Sequence, residues 1–247
     1  MVCFHPLPAV RYSDSSVKVF PRNSLESIEK FSLFDSFRVP CGQCIGCRLE
    51  QSRQWSIRCM HESMMHDANC FVTLTYNDFN LPVDLSLDLS HFQKFMKRLR
   101  RYLDYHHFGK KVRFFHTGEY GDRTHRPHYH VLLFGFDFPD KKYFKSTPCG
   151  SKIYKSSVLE SLWPYGFSNL GSVNYKSAGY CARYSLKKVR YSSLYNKFSH
   201  LSSDDLVYNL SLNPDYSAFV DRYLRQDYDG RYYLLRPDYS TMSRLPL

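Results

Sequence analysis

Apolar positions recur along the chain at two spacings, and the spacing separates strands from helices. Phe71-Val72-Thr73-Leu74-Thr75-Tyr76 alternates apolar residues with threonine, which predicts a strand carrying Thr73 and Thr75 on one face. Lys111 to Thr117 reads as a second strand, and the apolar run Val131-Leu132-Leu133-Phe134 as a third, buried one that continues His128-Tyr129-His130. A loop rich in Gly, Asp and Pro joins these last two as a hairpin. A Lys-rich turn is expected from Asp140 to Lys152, and a further strand through Gly171 to Tyr175. Elsewhere the spacing is helical. Leu49, Trp55, Ile57, Met60 and Met64/Met65 mark a helix between Arg48 and Asp67. From Leu89 to Leu103 the stripe is Phe92, Phe95/Met96, Leu99 and Leu103, with Ser90 as a suitable N-cap. Shorter helices are expected around Ser156 to Trp163, from Lys176 to Val189, and from Ser217 to Gln226.

This mixture predicts an α+β fold: a central antiparallel sheet of four or five strands, helices packed on one face, and the other face free. The organisation expected is an N-terminal arm, Cys-rich turn and packing helix over residues 1–68, a core over 69–200, and a Tyr-rich appendage over 201–247.

Composition changes the picture by pointing to a partner. A formal net charge of +11 and a pI near 9.2 favour a polyanion, because phosphate counterions are released on binding. Twenty-one tyrosines and nineteen phenylalanines offer stacking surface for unpaired bases, although most must be core. The cations cluster on the expected helices, which makes Lys94, Lys97, Arg98, Arg101, Arg183 and Lys188 candidate DNA contacts. No window approaches the length of a membrane span, and Met1 to Arg11 lacks a signal peptide's apolar stretch, so an intracellular protein is expected. No Walker-type phosphate loop is present, which argues against an intrinsic unwinding ATPase.

The chemistry concentrates in three places. His128 and His130 are two apart on a strand and share a face, with Glu119 at the mouth of the same hairpin. Two imidazoles and one carboxylate leave coordination positions open, as a catalytic metal requires, and Mg²⁺ or Mn²⁺ is expected. His116, His125 and Asp122 are alternatives to Glu119. Cys41, Cys44 and Cys47 repeat the Cys-x-x-Cys spacing, and with Cys3 they make a possible zinc site. Tyr180 and Tyr184 lie one turn apart on the expected helix, followed by Lys187 and Lys188. A phenol with a pKa near 10 attacks phosphate poorly unless a metal and nearby cations hold the charge that develops.

At these residues the chain resembles the HUH endonucleases, in which a His-hydrophobic-His strand binds a divalent metal beside a nucleophilic tyrosine. It is more closely similar to the replication initiation proteins of gokushoviruses, small phages with circular single-stranded DNA. The resemblance runs from Val39-Pro40-Cys41-Gly42 through Phe71 to Tyr76, Arg126-Pro127-His128-Tyr129-His130 and Leu162-Trp163-Pro164-Tyr165-Gly166-Phe167 to Tyr180 through Lys188. It implies an HUH endonuclease core that nicks and rejoins single-stranded origin DNA in rolling-circle replication, through a 5′-phosphotyrosine on Tyr184 or Tyr180. His128, His130 and Glu119 would hold the metal and Lys187 would steady the transition-state charge. Tyr184, with Lys187 one turn away, is the expected stronger initiator. Host helicase and polymerase are implied partners, and the host bacterial cytoplasm the location. A non-catalytic, zinc-stapled single-strand binding protein is the rival reading, and a metal phosphoesterase using water as nucleophile is a third.

Overall fold

The computed structural model describes residues 3–22, 35–82, 85–121, 124, 126–186, 201–203, 224–226, 232–234 and 240–242. Of the side chains within these, those of 184–186, 225–226, 232–233 and 240–242 are outside the description, and so is all of Lys187 and Lys188. Two compact units divide the chain, Met1–Gln54 and Trp55–Leu247.

In the first unit β1 (Leu7–Arg11) pairs antiparallel with β2 (Val17–Val19) on one side and β3 (Asp35–Val39) on the other. The helix α1 (Ile45–Met64) begins here.

The second unit is built on a seven-stranded antiparallel sheet. Its strands are β4 (Asn69–Tyr76), β5 (Arg113–Tyr120), β6 (Pro127–Phe134), β7 (Lys142–Ser146), β8 (Lys152–Lys155), β9 (Gly166–Gly171) and β12 (Ser240–Met242). They lie in the order β12-β5-β6-β4-β9-β8-β7. A separate pair, β10 (Leu224–Gln226) with β11 (Tyr232–Leu234), replaces the end of the helix expected from Ser217 to Gln226. The helices are α2 (Leu89–His106), α3 (Ser157–Leu162) and α4 (Tyr175–Leu186).

The α+β class and the antiparallel sheet agree with the sequence, but the sheet is wider than four or five strands. The Lys-rich segment taken for a turn is the β7–β8 hairpin. Every residue of β7 is exposed, so it carries no apolar alternation by which to recognise it. Likewise β9 occupies Gly166–Gly171 rather than Gly171 to Tyr175.

Helices also cover both faces rather than one. On β4, Cys70, Val72, Leu74 and Tyr76 are buried on one face, and α2 packs there through Phe92, Phe95, Met96, Leu99 and Leu103. On the other face Phe115, Leu132 and Phe134 pack against Ala178, Cys181 and Ala182 of α4 and Cys59 of α1. Strands β5 and β6 are buried at nearly every position from Phe115 to Tyr120 and from Tyr129 to Phe134. Such strands must be covered on both sides. What remains open on the second face is mainly the β4–β9 side.

The apolar side encloses polar groups that are paired, as buried hydroxyls must be. Tyr76 Oη lies 2.8 Å from Tyr129 Oη and 3.0 Å from His91 Nδ1. Tyr129 Oη donates to the Asp88 carbonyl at 2.9 Å and accepts from the Asp88 N–H at 3.1 Å, which ties the start of α2 to the sheet. The N-cap of α2 is Asp88, whose carboxylate accepts the Ser90 N–H at 2.8 Å, and Ser90 itself lies inside the helix. Burial pushes the Tyr76 phenol far above its ordinary pKa, which suits a structural tyrosine. No helix among the described residues is long and apolar enough to cross a membrane.

Gly166 opens β9 where two backbones meet. A Cβ at this position would lie 2.3 Å from the Asn77 nitrogen and 2.4 Å from the Thr75 oxygen. Neither backbone atom can rotate away. Gly166→Ala is therefore expected to cost about 1–3 kcal/mol, the range for overpacking, read as a lower urea midpoint. An unchanged midpoint would contradict this packing.

Candidate metal centre and nucleophile

Strand register assembles the site. Across β5 and β6, Glu119 pairs with His128 and Thr117 with His130; across β6 and β4, His130 pairs with Thr73 and His128 with Thr75. Directly opposed residues share a face, so all six side chains lie on the face away from α2. His116, one residue out of phase, points the other way and stacks on Phe92 with ring centroids 3.7 Å apart. It is thereby removed as an alternative to Glu119. Asp122 and His125 lie outside the described residues.

The carboxylate of Glu119 is the focus. Its Oε1 lies 2.9 Å from His128 Nε2 and 2.8 Å from His130 Nε2, and it accepts the Tyr180 hydroxyl at 2.6 Å. Each ring is held from behind. His128 Nδ1 lies 3.1 Å from the Arg126 carbonyl, which can only accept, so Nδ1 carries the hydrogen there. In neutral His128 the Nε2 lone pair would then face a carboxylate oxygen. Two acceptors at 2.9 Å repel unless a proton or a cation joins them. His130 Nδ1 lies 3.0 Å from Thr73 Oγ1, and its ring stacks on Phe71 with centroids 5.5 Å apart.

The approach of His130 Nε2 to Oε1 is too poorly aligned for a hydrogen bond. It leaves His130 Nε2 and Glu119 Oε2 as buried atoms without a partner. Such orphans each cost about 1–3 kcal/mol. A divalent cation bound by His128, His130 and Glu119 would relieve both them and the opposed acceptors. The donor set fits that group, and the three ligand atoms lie within 4.8 Å of one another. Burial would raise the Glu119 pKa, but the histidine rings beside it outweigh burial and hold the carboxyl at about 2. Burial pushes the His130 imidazole down, towards the neutral form that binds metal.

Helix α4 delivers Tyr180. Asn174 and Ser177 start it with reciprocal bonds: the Asn174 N–H donates to Ser177 Oγ at 2.9 Å and the Ser177 N–H to Asn174 Oδ1 at 3.0 Å. Small side chains at Ala178, Cys181 and Ala182 face the sheet, and Tyr180 meets His130 edge to face at 4.9 Å. Tyr184 lies in the same helix, with its side chain outside the description.

The other candidates are dispersed. Lys94, Lys97 and Arg101 are exposed on α2, which covers the face opposite the triad. Arg98 donates to the Leu162 carbonyl at 2.8 Å and lies over the Tyr165 ring. Arg183 is exposed on α4. In the first unit Cys3, Cys41, Cys44 and Cys47 converge within 4.8 Å as a second, all-thiol group.

Sequence reasoning missed the surroundings of the triad. Phe167 and Asn169 of β9 oppose Thr75 and Thr73, so they extend the histidine face, and Phe167 is 60% exposed. Farther along, Tyr154 pairs with buried Leu170 on the α2 side, so its neighbour Lys155 turns to the histidine side, with Lys142 opposite it. Half-exposed Phe144 lies under Lys145 and Lys155. An exposed Phe two residues before Asn169 in an alternating stretch was the available signal.

This fold and site belong with phage replication proteins. Residues 69–189 match the family model of the replication-associated protein ORF2, and the chain belongs to that family. Its relatives include the replication-associated protein VP4 of Bdellovibrio phage phiMH2K, 43% identical over 162 residues, 64% of this chain and 51% of that protein. The replication-associated protein ORF2 of Spiroplasma virus 4 is 31% identical over 199 residues, 76% of this chain and 62% of that protein. The replication-associated protein ORF4 of Chlamydia phage 1 is 34% identical over 179 residues, covering 70% and 43%. The chain spans about half the length of these relatives. No solved structure matches it.

For a cation held by the triad, Thr73 acts through His130. Thr73→Val is expected to weaken Mn²⁺ binding about 10–100-fold, the usual effect of losing a ligand's outer partner, as measured by calorimetry. Equal affinity in the variant would show that Thr73 does not orient His130.

Proposed function

We propose that the chain initiates rolling-circle replication by nicking and rejoining single-stranded origin DNA, with Tyr180 as first nucleophile and Mg²⁺ or Mn²⁺ held by Glu119, His128 and His130. The observation that carries this reading is the Tyr180 hydroxyl hydrogen-bonded to the carboxylate oxygen on which both histidines converge.

The residues divide the work. A carboxyl held at about 2 is far too weak a base to deprotonate a phenol of pKa near 10, so Glu119 orients Tyr180 rather than taking its proton. The bound cation supplies the charge that polarises the phosphodiester and favours phenolate. Tyr180 Oη then forms a bond to phosphorus as the bond from phosphorus to the 3′ oxygen breaks. The 3′ oxygen gains a proton and the DNA 5′ end stays on the tyrosine. One phosphodiester replaces another of similar energy, so the step runs in reverse and strands can be rejoined. A water-using phosphoesterase would have no use for a tyrosine held at the carboxylate. A non-catalytic binder would have none for the triad.

Tyr184, one turn on, is the natural second nucleophile, because an esterified Tyr180 cannot make the cut that releases the displaced circle. Arg183, Lys187 and Lys188 supply cations nearby in sequence. The open β4–β9 side supports single-stranded DNA as substrate: exposed Phe167 offers a stacking surface beside the triad, and Lys142, Lys145 and Lys155 offer phosphate contacts farther along. Lys94, Lys97 and Arg101, on the opposite face, suit contacts with flanking DNA. The work belongs in the host bacterial cytoplasm, with a host polymerase extending the 3′ end and a host helicase unwinding ahead of it.

Denaturing gels with end-labelled origin DNA and Mn²⁺ test this. Wild type should carry label from the DNA 5′ end of the cut, Tyr180→Phe should form little first adduct, and Tyr184→Phe should form it but release few circles. Label on neither protein nor variant, with DNA still cut, would favour water as nucleophile.

Phe167→Ala should weaken single-strand binding by about 1–3 kcal/mol, the worth of one stacked base, with Mn²⁺ affinity unchanged. Unaltered DNA affinity in a fluorescence titration would put the strand elsewhere.

A further inference from the structure

The first unit contains a thiol cluster that the proposed reaction does not use and a core too small to explain its fold. Among the described residues of Met1–Gln54, the buried apolar side chains are Ala9, Val10, Phe20 and Cys47. Both large hydrophobic clusters are made of residues from Trp55 onwards. A segment of this size with so little apolar burial needs another staple, a disulfide or a metal.

The sulfur geometry decides between them. Cys3 Sγ lies 3.6 Å from Cys41 Sγ and 3.8 Å from Cys44 Sγ, and Cys41 Sγ lies 4.0 Å from Cys47 Sγ. A disulfide needs about 2.05 Å. Four zinc–sulfur bonds of about 2.3 Å in a tetrahedron place the sulfurs about 3.8 Å apart. The observed distances bracket that value.

Backbone groups prepare the sulfurs for charge. The Cys44 N–H points to Cys41 Sγ at 3.3 Å and the Cys47 N–H to Cys44 Sγ at 3.5 Å. Cys3 Sγ receives the N–H groups of Cys41 at 3.3 Å and His5 at 3.4 Å. Donors of this kind favour thiolate over thiol. Two of these bonds come from the turn that opens α1, where N–H groups have no helical partner.

We propose that Cys3, Cys41, Cys44 and Cys47 bind one structural Zn²⁺ that fastens the β1–β3 pair to the start of α1, and that this unit folds only with it. Cys3 precedes β1, Cys41 follows β3, and Leu7 pairs with Val39, so the ion closes the end of the strand pair at which both chains leave. Four thiolates complete the tetrahedron and leave no position for water or substrate. Thiolates also select zinc over the magnesium or manganese suited to the triad.

The test uses the full chain purified under reducing conditions. Elemental analysis should find about one zinc per chain, retained in Cys149→Ser, whose thiol is exposed outside the cluster, and lost in Cys3→Ser and Cys41→Ser. Cobalt replacing zinc in wild type should give the visible bands of tetrahedral thiolate coordination. Removing zinc with a strong chelator should speed amide exchange at least tenfold across Leu7–Arg11 and Asp35–Val39. The wild-type measurements stand even if the serine variants fail to fold. Iron instead of zinc, no metal at all, a Cys41–Cys44 disulfide, or unchanged exchange after zinc removal would overturn the proposal.

Discussion

The register of β6 between β4 and β5 is the constraint on which the site depends. It sets His128 opposite Glu119 and Thr75, and His130 opposite Thr117 and Thr73. A slip of one residue would turn both histidines into the α2 core and bring Tyr129 out. What prevents the slip is the polar lock on the other face, where Tyr129 shares its hydroxyl with Tyr76 and exchanges hydrogen bonds with Asp88. Tyr129 sits between the two histidines in sequence. Its burial and theirs are therefore one decision.

The same sheet must satisfy opposite demands. Where β5 and β6 meet α4 it is a dry core of Phe115, Leu132 and Phe134, and small residues let the helix approach closely enough to bring Tyr180 to Glu119. Towards β9 the face is left open, with Phe167 exposed. The triad lies where the covered part gives way to the open part. It is buried enough to desolvate Glu119, whose side chain is 2% exposed, while that of His128 keeps 16%. A substrate could thus reach the metal ligands from the β4–β9 side while the nucleophile is held from the other.

Much of this was legible in the sequence because period-two alternation is a local signal. His128, His130, Thr73 and the hairpin that carries Glu119 could be placed from spacing alone, and the helical stripe of α2 emerged complete. The remainder depended on pairing between distant segments. That Thr73 holds His130, or that Phe167 extends the histidine face, follows only once β4 lies between β6 and β9. The stretch from Lys176 reads as a cationic helix free for DNA, yet Ala178, Cys181 and Ala182 turn its other side to the sheet. That second packed face broke the one-sided layer expectation. Strands β7 and β8 were invisible because exposed lysines and aromatics lack an apolar phase. Tyr180 and Tyr184 were equivalent by spacing, and only the Glu119 contact separates them.

The central claim is that one divalent cation sits among Glu119, His128 and His130, within reach of Tyr180. Crystals soaked in Mn²⁺ and measured for anomalous scattering test it most directly. The account predicts a single strong peak bonded to both Nε2 atoms and a Glu119 oxygen, with the Tyr180 hydroxyl beside it. No peak there at saturating Mn²⁺, with the histidines still hydrogen-bonded to the carboxylate, would contradict it.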